Sequence, residues 1–175
     1  MLAKAKSYSL TGLDGFAVDV EVDVSAGIPA FETVGLPDAS VKESKERVRA
    51  AIKSSGKKFP AAKVTVNLAP ADVKKGGSGL DLPIAVGIIK AAGNNDFNAD
   101  ISDVVLLGEL SLDGSLREIS GILPMLLSAK KAGYTKFIVP LNNASEASFI
   151  EDISVYALKN LNDVLSVLSG SGNFQ

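Results

Sequence analysis

Residues 64–92 read VTVNLAPADVKKGGSGLDLPIAVGIIKAA, and three kinds of local structure follow one another within them. Val64 and Val66 alternate with Thr65 and Asn67, which predicts a short β-branched strand over residues 64–68. A glycine-rich loop follows over 69–79, where Gly76, Gly77 and Gly79 surround Ser78 and open backbone conformations that a Cβ forbids. From about Asp81 a helix opens. Leu82, Ile84, Ala85, Val86, Ile88 and Ile89 make it apolar all round, so it must be buried. A glycine loop feeding a buried helix aims several free N–H groups at one spot and displays one serine there. Two chemistries use such an arrangement: anion binding, or a serine nucleophile with an oxyanion hole.

Composition narrows the choice. A chain of 175 residues is expected to form one compact domain that buries roughly 70% of its unfolded surface. Its 46% hydrophobic and 22% charged content is that of a soluble globular protein. No apolar run approaches the roughly 18 residues of a membrane span, and the first residues lack a signal-peptide core. The expectation is a cytoplasmic protein without a membrane partner. There is no cysteine, which excludes disulfides, thiolate chemistry and zinc knuckles. There is no histidine either, which excludes Ser–His–Asp triads and histidine metal sites. The scattered Asp and Glu offer no metal-ligand spacing.

The net charge of −2 is unevenly spread. Between Lys42 and Lys75 ten Lys/Arg face only three Asp/Glu, whereas from Asp81 onward six face eleven. The basic stretch is either a solvated helix face with loops, or a positive patch turned toward phosphate or an acidic partner. Its candidate surface is Lys42, Lys45 and Arg49 on the outer face of a helix predicted over 38–55. Asp38 is that helix's N-cap candidate, Gly56 its stop, and Val41, Val48, Ala51, Ile52 and Ser55 its apolar stripe. Glu43 and Arg47 form a well-oriented i,i+4 pair on the same outer face.

Outward from these stretches, residues 8–13 and 17–25 read as strands joined through an Asp14-Gly15 turn. In the second, Val18, Val20, Val22 and Val24 alternate with Asp19, Glu21 and Asp23, giving one core face and one acidic, wet face. Residues 30–34 are a third extended piece, and 93–103 a polar connection. A second hairpin is expected from 104–112 and 115–119 around Asp113-Gly114. Helices are expected over 121–132, 144–150 and 161–168, the last capped by Asn160, and strands over 137–139 and 153–157. Early hairpins followed by helix–strand alternation indicate an α/β (α+β) domain with one main sheet.

Four strings carry a resemblance: GLPDASVKESKERVRAAI (35–52), VNLAPADVKKGGSGLDLPIAVGI (66–88), GELSLDGSLREISGILP (108–124) and VPLNNASEA (139–147). They resemble the N-terminal domain of the ComM/YifB family, the bacterial magnesium-chelatase-like AAA+ ATPases, over nearly the whole chain. The resemblance implies a Lon-protease-like fold over residues 1–168: a mixed sheet with helices on one side, shared with a ribosomal protein domain and small-molecule kinases. Residues 169–175 then read as a flexible tail or the start of a linker to an AAA+ module. It also implies a parent protein that uses ATP and Mg, assembles as a homo-hexamer, and drives branch migration of DNA during recombination. No string in this chain matches G-x-x-x-x-G-K-[ST], so this domain itself is expected to hold no nucleotide motor and no cofactor.

Carried over residue by residue, the Lon resemblance places Ser78 at the nucleophile position of the run Lys74, Lys75, Gly76, Gly77, Ser78, Gly79. It places Leu123 where the second catalytic residue, a lysine, should stand. Lys130 and Lys131 lie about two turns further on, about 10 Å by helical rise. Without a base of depressed pKa, a serine hydroxyl is a poor nucleophile at neutral pH. The expected function is therefore a non-catalytic accessory domain beside an ATP-driven DNA motor, its partners being the ATPase module and single-stranded or branched DNA. The alternatives are a serine–lysine peptidase, or a phosphate or nucleotide binder using the loop from Lys74 to Gly79. Asp81, at the helix start, is expected to act as a capping or dipole partner and would oppose an anion there.

Overall fold

The computed structural model describes residues 1–93 and 97–170. Its centre is a seven-stranded mixed sheet. β1 (Leu2–Thr11) pairs antiparallel along its whole length with β2 (Asp14–Ser25), and β4 (Lys63–Ala69) joins β2 antiparallel. β3 (Ala30–Val34) runs parallel to β4, as a strand returning through a helical crossover must. That crossover is α1 (Ala39–Ser54). On the other side of β1, β5 (Val104–Leu106), β8 (Lys136–Pro140) and β9 (Ser154–Leu158) are parallel to one another.

The period-two pattern of β2 works as the sequence implies. Val18, Val20 and Val22 are fully buried, while Asp19, Glu21 and Asp23 point to the other side and stay partly exposed. The buried valines meet β4 and α2 (Asp81–Ala92) in one core, to which α1 and α5 (Leu161–Leu168) contribute their apolar faces. α2 is buried along nearly its whole length; each such aliphatic side chain contributes about 1.5–3 kcal/mol by leaving water, which fixes α2 as the axis of the core. α1 is capped as expected: the Asp38 carboxylate accepts from Val41 N–H at 2.9 Å, and Asn160 does the same for α5.

Four expectations need correction. The β1–β2 turn is at Gly12-Leu13, since Thr11 pairs with Asp14 and Gly15 lies inside the ladder opposite Leu10. Gly12 supplies the positive φ (+63°) of this two-residue turn. Residues 104–112 do not form one hairpin arm. β5 is drawn into the main sheet, and only β6 (Glu109–Leu110) pairs with β7 (Leu116–Arg117) in a separate ribbon closed by Asp113-Gly114. The fourth helix, α4, is only Ala144–Ala147. The helices are not confined to one side. α3 (Ile122–Lys131) packs Ile122, Met125, Leu126 and Ala129 on the opposite face, against Tyr8, Val105, Phe137 and Val139, so β5 and β8 are buried on both faces. Of the polar connection, residues 94–96 lie outside the described part of the chain; so do 171–175 of the expected tail.

Candidate functional site

The glycine loop is held by its own chain. Residues 35–38 and 74–77 lock together through backbone bonds: Lys75 N–H to the Leu36 carbonyl at 2.9 Å and Asp38 N–H to the Lys75 carbonyl at 2.8 Å. Gly35 makes this approach possible at φ +102°, where a Cβ would stand 2.1 Å from the Leu68 carbonyl oxygen. The Lys75 side chain turns inward and is fully buried, donating to the carbonyls of Gly35 (2.8 Å) and Pro70. Burial holds its pKa below the ordinary lysine value, against the weaker opposing pull of Asp72. Lys75, a candidate for the anion-binding loop, is thus a structural post, and only Lys74 stays exposed.

Two further N–H groups of the loop, those of Gly76 and Gly77, are also occupied. Asp38, besides capping α1, accepts from Gly77 N–H at 3.3 Å through its second oxygen. Gly76 exchanges bonds with Ser9, whose hydroxyl donates to the Gly76 carbonyl at 3.1 Å and accepts from its N–H at 3.4 Å. A carboxylate of the chain therefore stands where an external anion would be received. Ser78 begins a short 3-10 turn (Ser78–Leu80) and lines an open cavity of about 460 Å³. The hydroxyls of Tyr8, Ser9, Ser40 and Ser120 share that cavity with Leu80, Ile119 and Met125, and its described lining contains no charged side chain.

A second polar centre lies beneath α1. The fully buried carboxylate of Asp81 accepts from Arg47 Nε at 2.7 Å and Nη2 at 3.1 Å, and from Leu110 N–H at 3.0 Å. Burial pushes its pKa up to about 6, and the Arg47 pair and the Leu110 bond only partly oppose this. Asp81 thus ties α2 to α1 and to the β6–β7 ribbon. Of the capping or dipole role expected for it, the capping half fails, since it makes no side-chain N-cap bond, while it does stand in the first turn of α2.

A protein-family model described as subunit ChlI of Mg-chelatase matches residues 20–143. The chain belongs to this Mg-chelatase-like family. It is 40% identical over 169 residues to the competence protein ComM of Haemophilus influenzae, which covers 97% of this chain and 33% of ComM. It is 39% identical over 159 residues to the protein YifB of Escherichia coli, covering 91% of this chain and 31% of YifB. The ComM/YifB branch fits. Lon protease 2 of Bacillus subtilis is 27% identical over 168 residues, covering 86% of this chain and 30% of the protease, in keeping with the Lon-like mixed α/β fold. The chain spans about a third of the length of these relatives.

In this Mg-chelatase-like chain the positions compared with Lon stand apart. Leu123 is half-buried against the second core, filling space rather than facing Ser78. Lys130 donates to the Glu151 carbonyl at 2.7 Å, and neither it nor Lys131 lines the cavity. Lys42 and Lys53 are exposed on α1, with Lys45 and Arg49 half-buried beside them. Arg49 lays its guanidinium over the Phe59 ring, 5.1 Å from the centroid. Arg47, read from the sequence as an outer-face partner of Glu43, keeps that contact at 3.9 Å while turning mainly to Asp81. Sequence reading missed two residues of consequence, Asp38 as the clasp of the loop and Asp81 as a buried ion-pair partner. Both act across more than 30 positions, and no local pattern reports such a contact.

Proposed function

We propose that this chain is a non-proteolytic, Lon-like accessory domain of a Mg-chelatase-like AAA+ ATPase. In this reading the parent protein is a cytoplasmic, hexameric motor that uses ATP and Mg to drive branch migration of DNA. The observation that carries the non-proteolytic part is the surroundings of Ser78. Its cavity offers hydroxyls and no lysine, the nearby Lys75 is committed to two carbonyls, and Leu123 occupies the expected position of the base. Proton abstraction from a serine needs a basic group within about 3 Å, and the described lining of the Ser78 cavity includes no charged side chain. Likeness to ComM over 97% of the chain supports the motor assignment.

The test uses the full-length parent protein and its Ser78→Ala variant. ATP-driven migration of a synthetic four-way DNA junction is expected to differ by no more than a few-fold between the two. Hydrolysis of an unstructured protein substrate is expected from neither. A thousandfold loss of migration in the variant, or serine-dependent hydrolysis by the wild type, would overturn this reading.

A further inference from the structure

Four cations of α1 gather on one face of the helix. At 100° per residue, Lys42, Lys45, Arg49 and Lys53 fall within about 80° of one another around the helix axis, and they span about 16 Å along it. Among the described residues no carboxylate lies within ion-pair distance of any of the four, whereas Lys4, Lys6 and Arg47 each have one. Arg49 is also pre-positioned. Its Nε is buried without a partner and its guanidinium rests on Phe59, so little rotamer freedom is left to lose when its fork meets a ligand. Glu46 shares this face and lowers its charge without reversing it.

We propose that this face of α1 is a track for the phosphate backbone of a nucleic acid. The inference rests on the DNA-motor reading and names the surface that would touch DNA. Two observations favour a polyanion over an acidic protein. Protein interfaces are built around apolar anchors, and none of the exposed large apolar side chains, such as Leu13, Ile28 and Phe149, lies on α1. A 16 Å row of cations also matches about five nucleotide steps of duplex at 3.4 Å each. The acidic side chains of β2 do not compete, because Asp19, Glu21 and Asp23 lie on the opposite face of the sheet. Asp19 and Glu21 are paired there with Lys6 and Lys4. Phosphate contacts position without reading bases, so the track carries no sequence preference.

The experiment is fluorescence anisotropy of a labelled random-sequence DNA duplex with the 175-residue chain, from 50 to 200 mM salt. Four phosphate contacts give a slope of log K against log salt near −3.6, or about a 150-fold weakening across that range. The variant Lys42→Glu/Arg49→Glu/Lys53→Glu leaves at most one contact, and its affinity should change only about 4-fold over the same range. A milder Lys42→Gln/Arg49→Gln/Lys53→Gln variant should show the same flattening. Urea midpoints measured alongside separate lost binding from lost folding. Equal affinity and slope in wild type and a folded variant would overturn the proposal. So would a wild-type chain that binds polyglutamate but not the duplex, which would assign the face to an acidic protein. If the stripe fails while the parent protein still migrates junctions, the inference falls and the motor reading stands. A stripe that binds DNA in a parent without ATP-driven migration removes the motor reading alone.

Discussion

Arg47 and Arg49 lie two residues apart on α1 and end in opposite situations. A rotation of about 200° separates them. Arg47 is drawn under the helix to a carboxylate that is 1% exposed, and its Nη2 also donates to the Ser40 carbonyl at 2.9 Å. Arg49 reaches the rim, where an aromatic ring holds it and no carboxylate answers it. The same contrast runs through the lysines, with Lys75 sealed inside the glycine loop and Lys42 open to solvent. A local excess of positive charge in a sequence is therefore a mixture. Part of it belongs to the fold, and only the remainder is available to a partner.

Removing Arg47 should produce the largest effect. Arg47→Ala leaves the Asp81 carboxylate buried and unpaired, and the expected loss is about 3 kcal/mol at pH 7, read from urea midpoints. A loss below 1 kcal/mol would place Arg47 with the rim cations. The pH dependence sharpens the same point. The folded-state pKa of Asp81, about 6, lies above the ordinary value near 3.9, so the folded chain binds the extra proton between those pH values. This group's contribution is therefore fully present below pH 4 and lost as pH rises through 6. Relative to Asp81→Asn, which stays neutral, wild-type stability should rise as pH falls from 7 to 4; a flat difference would mean that the pair titrates as an ordinary surface bridge.

Gly77 tests the loop on the other side of the comparison. Its φ is +84°, yet a Cβ built there meets nothing within 4 Å, so substitution costs backbone strain without a clash. Gly77→Val should destabilise by about 1–3 kcal/mol. An unchanged urea midpoint and slope would show that the loop relaxes at no cost. The smallest effect is expected at the rim, where Arg49→Ala removes a partly exposed cation–π contact worth about 0.5–1 kcal/mol. A cost equal to that of Arg47→Ala would erase the distinction between the two arginines and make the rim part of the fold.

Much of the architecture is legible locally. The Val–Asp alternation of β2, the apolar density of α2, Asp38 at the start of α1 and Asn160 at the start of α5 each lie within one element. Periodicity and capping report such features directly. Legibility failed where pairing partners are distant. Asp14-Gly15 and Gly12-Leu13 are both acceptable turns, and the pairing of β1 with β2 along its whole length selects the second. Residues 104–106 look like one arm of a hairpin until β1 and β8 claim them for the main sheet. The glycine loop misled for the same reason. The N–H groups of Gly76 and Gly77 are free in the sequence and occupied in the fold, because Ser9 and Asp38 come to them from 67 and 39 positions away.

The sequence by itself determined the class of the domain, the burial of α2, the exclusion of histidine and cysteine chemistry, and the family. These depend on composition, on period and on strings read within a single element. The tertiary structure alone decided which charges are available. Lys74 and Lys75 are adjacent and chemically identical, as are Arg47 and Arg49 two positions apart. A lysine or arginine becomes part of the core only when an acceptor from a distant segment meets it, as Gly35 meets Lys75 and Asp81 meets Arg47. Burying a cation without such acceptors is prohibitively unfavourable, so the partner's position, fixed by the packing of the sheet and helices, settles the fate of each one.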